Sequence, residues 1–545
     1  MRFLRGSWMP VLLILAAASS QLDAQSVLSP GNFSGYFEAN GQYYQKDDKI
    51  EAPEVNEKWL NNGFMSLTYT YGGLTAGVRY ESYLNPLLGF DPNYKGNGLT
   101  NRFITYTNAK LSVTAGNFYE QFGSGLVFRT YWEPNLGLDN SMDGLRAVFT
   151  PVQGITIKGV IGRQRDFFTY SNSIVRGVDA DIQLNDAVKF LADKKLRIGL
   201  GGSFVSKYQK DDRPSLILPE NVGATAGRIS LKYGKVAFDA EYAYKINDPI
   251  QSNLFTYNTG EALFTNLTYT KKGLGVRLSG KRVSNMDFRS DRAVTGTRLM
   301  INYLPAVNRQ QTYRLATLYP YATQPLGEMG GSAEVYYNFK PKTRLGGEYG
   351  TTVMVNYATV SDIERHALDD TLGYKSDFFA VGDDCFYQES TLEVTKKVSK
   401  KSKFIISYLY QVYDKNKIEG KIGQRQVTSH LGVIDYTYKL TSTKSVRFDV
   451  EHLYTEQDKG NWVMGLIEFN AAPNWSFTVF DEWNYGNEDA DHRYHYFNGS
   501  INYIDGGTRV GISWARQRAG LLCVGGVCRY VPASNGLSLT ISSRF

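Results

Sequence analysis

The chain has 545 residues and a formal net charge of +7, spread so evenly that no basic block forms; a nucleic-acid partner is not implied. Beyond residue 24 no apolar run reaches the roughly 20 residues that a spanning helix needs, which excludes a helical membrane protein. Aromatic residues make up 14 %, with 39 Tyr, 53 Gly and only 3 Cys, a balance that suits many strands, tight turns and side chains with one apolar and one wet end.

The N-terminus reads as a secretory signal peptide over residues 1–24. Arg2 and Arg5 precede the short apolar core from Val11 to Ala18, and Leu22-Asp23-Ala24 offers a small residue before a cut that leaves Gln25 first. From Asn32 onward the chain alternates with period two. Leu74, Ala76, Val78 and Tyr80 interleave with Thr75, Gly77, Arg79 and Glu81. Val236, Phe238, Ala240, Tyr242 and Tyr244 interleave with Asp239, Glu241 and Lys245; Leu274, Val276 and Leu278 with Gly275, Arg277 and Ser279; Val446, Phe448 and Val450 with Arg447, Asp449 and Glu451. Each segment is a strand with one greasy and one polar face. A soluble sandwich buries the greasy face, whereas a membrane barrel turns it to lipid around a polar lumen.

The connections separate these two cases. Short ones, such as Gly72-Gly73, Gly234, Lys272-Gly273, Ala472-Pro473 and Gly506-Gly507, take turns with long polar ones at 46–61, 85–100, 121–143, 210–222, 247–258 and 358–384. That sorting is expected of an all-β, antiparallel transmembrane barrel with short periplasmic turns and long extracellular loops. The pattern predicts about 26 strands, within a range of roughly 22 to 26, in one domain over residues 25–545. The signal is weak at 187–195, where a short helix is an alternative, and at 287–319.

The segment from Gly116 to Arg129, continued by Gly137 to Arg146, loses its alternation and runs into Gly, carboxylate, amide and Arg residues. One reading is a loop folded into the lumen, with Glu120, Arg129, Asp139, Asp143 and Arg146 lining or narrowing a pore. The plainer reading is a bend whose charges pair with the wall. Arg79, Glu81, Lys158, Arg277, Lys281, Asp449 and Glu451 face the lumen in the same sense; the mixed signs predict no strong ion selectivity.

Acidic pairs at Asp211-Asp212, Asp369-Asp370, Asp383-Asp384 and Glu488-Asp489 lack the spacing of a calcium loop and read as solvated. Of five His residues, His492 lies near Asp489 and Asp491, yet no second carboxylate pair and no G-x-S-x-G elbow accompany it. Neither an enzyme, a cofactor nor a metal site is expected. Cys523 and Cys528 flank Gly525-Gly526, so a tight hairpin sets them opposite each other and favours a disulfide in an oxidising compartment. Reduced thiols, or a pairing with Cys385, are the alternatives. At the end, Leu537, Leu539 and Ile541 alternate with Ser538, Thr540 and Ser542 before a terminal Phe545; this resembles the signal read by the barrel-assembly machinery of Gram-negative bacteria.

Three stretches carry a wider likeness: 32–38 with Gln42-Tyr43-Tyr44, the 116–146 segment, and Arg516 to Arg529. Together they resemble an uncharacterised family of outer-membrane barrel proteins from Bacteroidota. The resemblance implies the compartment and a barrel, and it supplies no substrate. Strand signals begin directly after the leader, so an N-terminal plug of the TonB-dependent kind is not expected. Two functions follow. The first is a porin-like channel for small solutes with a partly occluded polar lumen. The second is a non-conducting scaffold in an outer-membrane secretion or assembly complex. Partners on either reading are outer-membrane lipid and lipopolysaccharide, the barrel-assembly machinery and a possible membrane complex.

Overall fold

The computed structural model describes residues 31–545 other than 212, 214, 422, 424 and 425. The expected signal peptide and Asp212 therefore lie outside the described residues. The chain forms a closed antiparallel barrel of 24 strands, with one two-residue strand, Thr169–Tyr170, added at the rim. Every wall strand pairs with the next in sequence, and the first, Asn32–Tyr44, closes the cylinder against the last, Ser534–Arg544. The seam runs from Tyr36 opposite Arg544 to Tyr44 opposite Gly536, and Gly35 and Phe545 exchange backbone hydrogen bonds of 2.7 and 3.1 Å. Such closure leaves no edge, which a sheet in lipid requires because no water is there to satisfy unpaired N–H and C=O groups.

Short turns and both described chain ends share one rim; the long loops share the other. The weak segment at 187–195 belongs to a short-turn connection that includes one helical turn, Leu184–Ala187, and a 3-10 turn, Lys189–Leu191. The period-two reading holds along the wall. Between Thr75 and Glu81 the buried positions face inward, whereas Val78 and Tyr80 stand exposed outward. Ile104, Leu145, Ile161, Val355, Ile434 and Val479 continue an exposed apolar belt. Tyr71, Tyr106, Tyr233 and Trp475 edge it on the short-turn side, and Tyr80, Tyr242, Tyr408 and Trp483 on the loop side. Two aromatic girdles around an apolar band are what a membrane selects, since amphipathic rings settle at the headgroup level.

The largest departure from the alternating pattern is inside the cylinder. Residues 285–326 add no wall strand; they fold into the lumen, where Met286, Phe288, Leu315 and Ala316 are buried. The segment 520–531 is also strand-like without joining the wall. Its two strands, Gly520–Val524 and Val527–Val531, pair only with each other. Cys523 stands opposite Cys528 in this ribbon and is bonded to it, while Cys385 is a free thiol in the wall. Peptide mapping without reductant is expected to find Cys523 linked to Cys528 and Cys385 alkylated. Alkylation of all three in oxidised protein would contradict the pairing.

Candidate functional site

Three segments distant in sequence meet in the lumen: residues 119–141, residues 285–326 and the ribbon at 520–531. Backbone bonds join the first two, from Arg129 N–H to Ile301 O at 2.8 Å and from Tyr303 N–H to Gly125 O at 2.9 Å. The side-chain amide of Asn302 donates to Leu126 O at 3.2 Å and to Met286 O at 2.8 Å, fixing the same pairing. The ribbon docks on this base. Tyr303 Oη donates to Gly525 O at 2.8 Å, and Thr323 N–H to Gly526 O at 3.0 Å.

The 119–141 segment enters as a tight turn, with Phe122 N–H on Phe128 O at 3.0 Å. Phe122, Leu126, Val127 and Phe128 have no exposed surface and pack against Met286, Phe288 and Ile301 of the second segment. The wall meets them with Val160, Val175, Val205, Ala243, Ala262 and Val283, lumen-facing positions that are apolar rather than polar. Gly123 adopts a left-handed φ of +52°, and a Cβ there would strike the Glu241 carboxylate. The bare turn lets Ser124 N–H reach Glu241 Oε2 at 2.6 Å.

The same device recurs around the barrel: a buried wall carboxylate accepts backbone N–H groups from an inserted segment. Glu389 takes Arg309 N–H at 2.8 Å, and Glu451 takes Arg314 N–H at 2.9 Å and Leu315 N–H at 2.7 Å. Glu328 takes Gln324 N–H at 2.7 Å together with Tyr321 Oη and Lys281 Nζ. Charge-assisted bonds of this kind are among the stronger ones available in a low-dielectric interior.

The expected site residues divide into distinct environments. Arg79 and Glu81 sit on the wall and Asp139 on the inserted segment, and all three are buried together with Arg165. Arg165 bonds Glu81 at 2.7 Å and Asp139 at 2.6 Å, Arg79 bonds Glu81 at 2.7 Å and also Asp139, and Tyr119 Oη donates to Asp139 at 3.0 Å. Arg146 and Lys158 reach from the wall to Glu120 at 2.6 and 3.0 Å. Among the described residues Arg129 pairs with no carboxylate; its guanidinium lies over the rings of Tyr131 and Tyr303, at 4.5 and 4.0 Å. Arg277 faces the lumen on the short-turn side, exposed and 3.5 Å from Asn266 Oδ1. The inward loop and the charge pairing are thus both present; Arg79, Arg165, Glu81 and Asp139 balance one another, whereas Glu120 faces two cations.

Asp143 is the exception. It shares the outward face with Leu145 and bonds Arg102 at 3.2 Å near the loop rim, so it does not line the lumen. The reason is strand parity: residue 142 restarts the wall with Met142 buried inward, which turns the next side chain out. Reading the sequence missed Arg165, Glu241, Glu328, Glu389 and Glu482, as well as the whole insertion at 285–326. The signals were the loss of alternation there and the Arg residues at 289, 292, 298, 309 and 314. Among the described residues, no group of three or more His, Cys, Asp or Glu comes together as a metal site. His492 bonds Asp489 at 2.6 Å on the exposed surface.

The family described as "Family of unknown function (DUF6029)" has a sequence model that matches residues 7–545. The chain belongs to DUF6029. No curated protein matches it in sequence. Solved structures similar in fold include the siderophore receptor PirA of Pseudomonas aeruginosa, 10 % identical with a TM-score of 0.42 over 94 % of this chain and 80 % of that one. The translocation pore of the P pilus usher PapC is 9 % identical, with a TM-score of 0.43 over 94 % and 99 % of the two chains. The outer-membrane protein OpdK of Pseudomonas aeruginosa is 11 % identical, with a TM-score of 0.36 over 94 % and 98 %.

Burial pushes the Asp139 carboxyl up, but Arg165, Arg79 and the Ser141 N–H outweigh it and hold the group below the ordinary range. Burial acts likewise on Glu120, where the Gln121 N–H, Lys158 and Arg146 win. A carboxyl lowered on folding contributes stability that is complete above its unfolded value and lost as pH falls through the folded one. Amide protection of residues 119–141, corrected for intrinsic exchange, is therefore expected to hold from pH 7 to 5 and to fall below about pH 4. Asp139→Asn leaves two buried guanidiniums on Glu81 alone and should cost about 3–5 kcal/mol, read as a lower temperature for loss of the compact form on unheated gels. An unchanged transition would remove the cluster from the stability argument.

Proposed function

We propose that the protein is an outer-membrane transport barrel for small solutes, closed at rest by its own loops and opened when residues 285–326 leave the wall. The observation that carries this reading is the way that segment is held. A 24-strand cylinder encloses far more lumen than wall side chains can fill, and the filling chain is fastened by the side-chain carboxylates of Glu328, Glu389 and Glu451 on three separate wall strands. Around Arg309, Arg314 and Gln324 the fastening bonds are polar, and beside them Leu315, Ala316 and Tyr319 pack in an apolar cluster with Leu409, Leu431 and Leu453 of the wall. Arg277 on the short-turn side faces lumen rather than packed protein, which leaves a wet vestibule beneath the filling.

The same reading sets the long loops outside the cell and the short turns in the periplasm, after export through a leader cut behind Ala24. Phe545 on the closing strand would address the chain to the barrel-assembly machinery, and the apolar belt would meet lipid and lipopolysaccharide. A non-conducting scaffold in a secretion or assembly complex is the second reading. It is favoured by the dry packing of Phe122, Leu126, Val127 and Phe128, which has the character of a permanent core.

Planar-bilayer recording separates the two. Wild type should show rare, small openings, and a variant lacking residues 305–319 should show large, stable steps. Where the deletion does not fold, Glu451→Gln combined with Glu389→Gln weakens the wall contacts while keeping the apolar packing, and should raise the open fraction. Folded variants that stay silent, with membrane proteins co-purifying, would overturn the channel and support the scaffold.

A further inference from the structure

Beside the ribbon, on the long-loop side of the lumen, lies a cavity of about 260 Å³ whose charged lining is of one sign. Arg314 comes from the inserted segment, Arg518 from the start of the last long loop, and Arg529 from the ribbon. Gln42, Tyr44 and Thr317 contribute polar groups, and no Asp or Glu is among the lining residues. Glu482 is the only carboxylate bonded to these guanidiniums among the described residues. It takes Arg314 on one oxygen and Arg518, at 3.1 Å, on the other. Glu451 meets the Arg314 backbone N–H rather than its guanidinium. Three cations thus share one anion.

Arg529 is the group left over. Its Nε donates to Asn135 O at 2.8 Å, and its guanidinium lies 4.3 Å from the centre of the Phe90 ring. Nη1 is buried and has no hydrogen-bond partner. The buried guanidiniums of Arg79 and Arg165, by contrast, are compensated by Glu81 and Asp139. A buried donor without an acceptor costs free energy, and an uncompensated buried cation costs more. An anion arriving from solution removes both costs. Arg314, 38 % exposed, keeps the cavity in touch with solvent.

We propose that this cavity binds a small anionic solute, held through a carboxylate or phosphate group by Arg314, Arg518 and Arg529. Phe90, Leu87, Leu88 and Pro532 also line a second cavity of about 690 Å³, shared with Asp91, Asp166 and Arg298, into which the rest of the solute would extend. Both Gln42 and Tyr44 face inward from the first strand, so the ligand reaches the site from the lumen rather than from the lipid. The site stands whether or not the lumen conducts, and binding is measured separately from conductance.

Titration calorimetry on the detergent-solubilised full chain, at fixed ionic strength, uses inorganic phosphate and benzoate as probes. At least one is expected to bind saturably, and Arg529→Gln to weaken it by roughly tenfold, as loss of a charge-assisted bond would. Lys400→Gln, in a short turn at the opposite rim, should leave the affinity unchanged. Should Arg529→Gln fail to fold, wild-type crystals soaked in bromide should give an anomalous peak among Arg314, Arg518 and Arg529. Absence of saturable binding by either probe, equal affinity in Arg529→Gln, or bromide peaks confined to other sites would overturn the assignment.

Discussion

Everything in this protein depends on the seam between its first and last strands. A sheet in lipid has no water to satisfy an open edge, so the strand at 32–44 must find the strand at 534–544. Once the cylinder closes, every alternate side chain has a fixed destination. Val78, Leu145 and Val479 go to lipid, and Arg79, Arg146 and Glu482 go inward. Closure also sorts the connections, because neighbouring strands can be joined only rim by rim. The long loops then share one mouth, close enough to fold together over or into the lumen.

A cylinder of this width creates a second problem, which the chain solves with itself. Polar wall side chains are too short to reach across, so three inserted segments supply the material and the wall supplies acceptors. Glu241, Glu328, Glu389 and Glu451 point buried carboxylates at backbone N–H groups that would otherwise be orphaned. Guanidiniums complete the pairing at Glu81, Asp139 and Glu482. Because the wall is rigid and the bonds are directional, the inserted chain has little freedom in where it can sit. The filling is specific where it is polar and tightly packed where Phe122 and Phe128 meet Met286 and Phe288.

The wall was legible in the sequence and the lumen only in part, for a physical reason. Lipid imposes period two on the outward face, so Phe448 and Val450 declare the parity of Asp449 and Glu451 without further help. No such rule governs residues facing the filling. Ala243, between Tyr242 and Tyr244, is buried inward where a lumen residue would ordinarily be polar. Its environment is set by chain tens of residues away. The same holds for 285–326, where lost alternation marks a segment outside the wall but gives no direction for it. Glu120 and Asp139 were identifiable as lumen charges because they sit where the alternation breaks. Asp143, only a few residues on, had already rejoined the wall.

The ribbon at 520–531 has a consequence for the order in which the molecule can be completed. It belongs to the last long loop, between the final two strands, yet it caps contacts made by Tyr303 and Thr323. During synthesis the two earlier inserts therefore emerge before their cap exists. Gly525 and Gly526 reach those partners only when the 534–544 strand is at hand to draw the loop over the mouth. The interior of the barrel is finished by the same hairpin that finishes its wall, which makes the C-terminal hairpin the keystone of both.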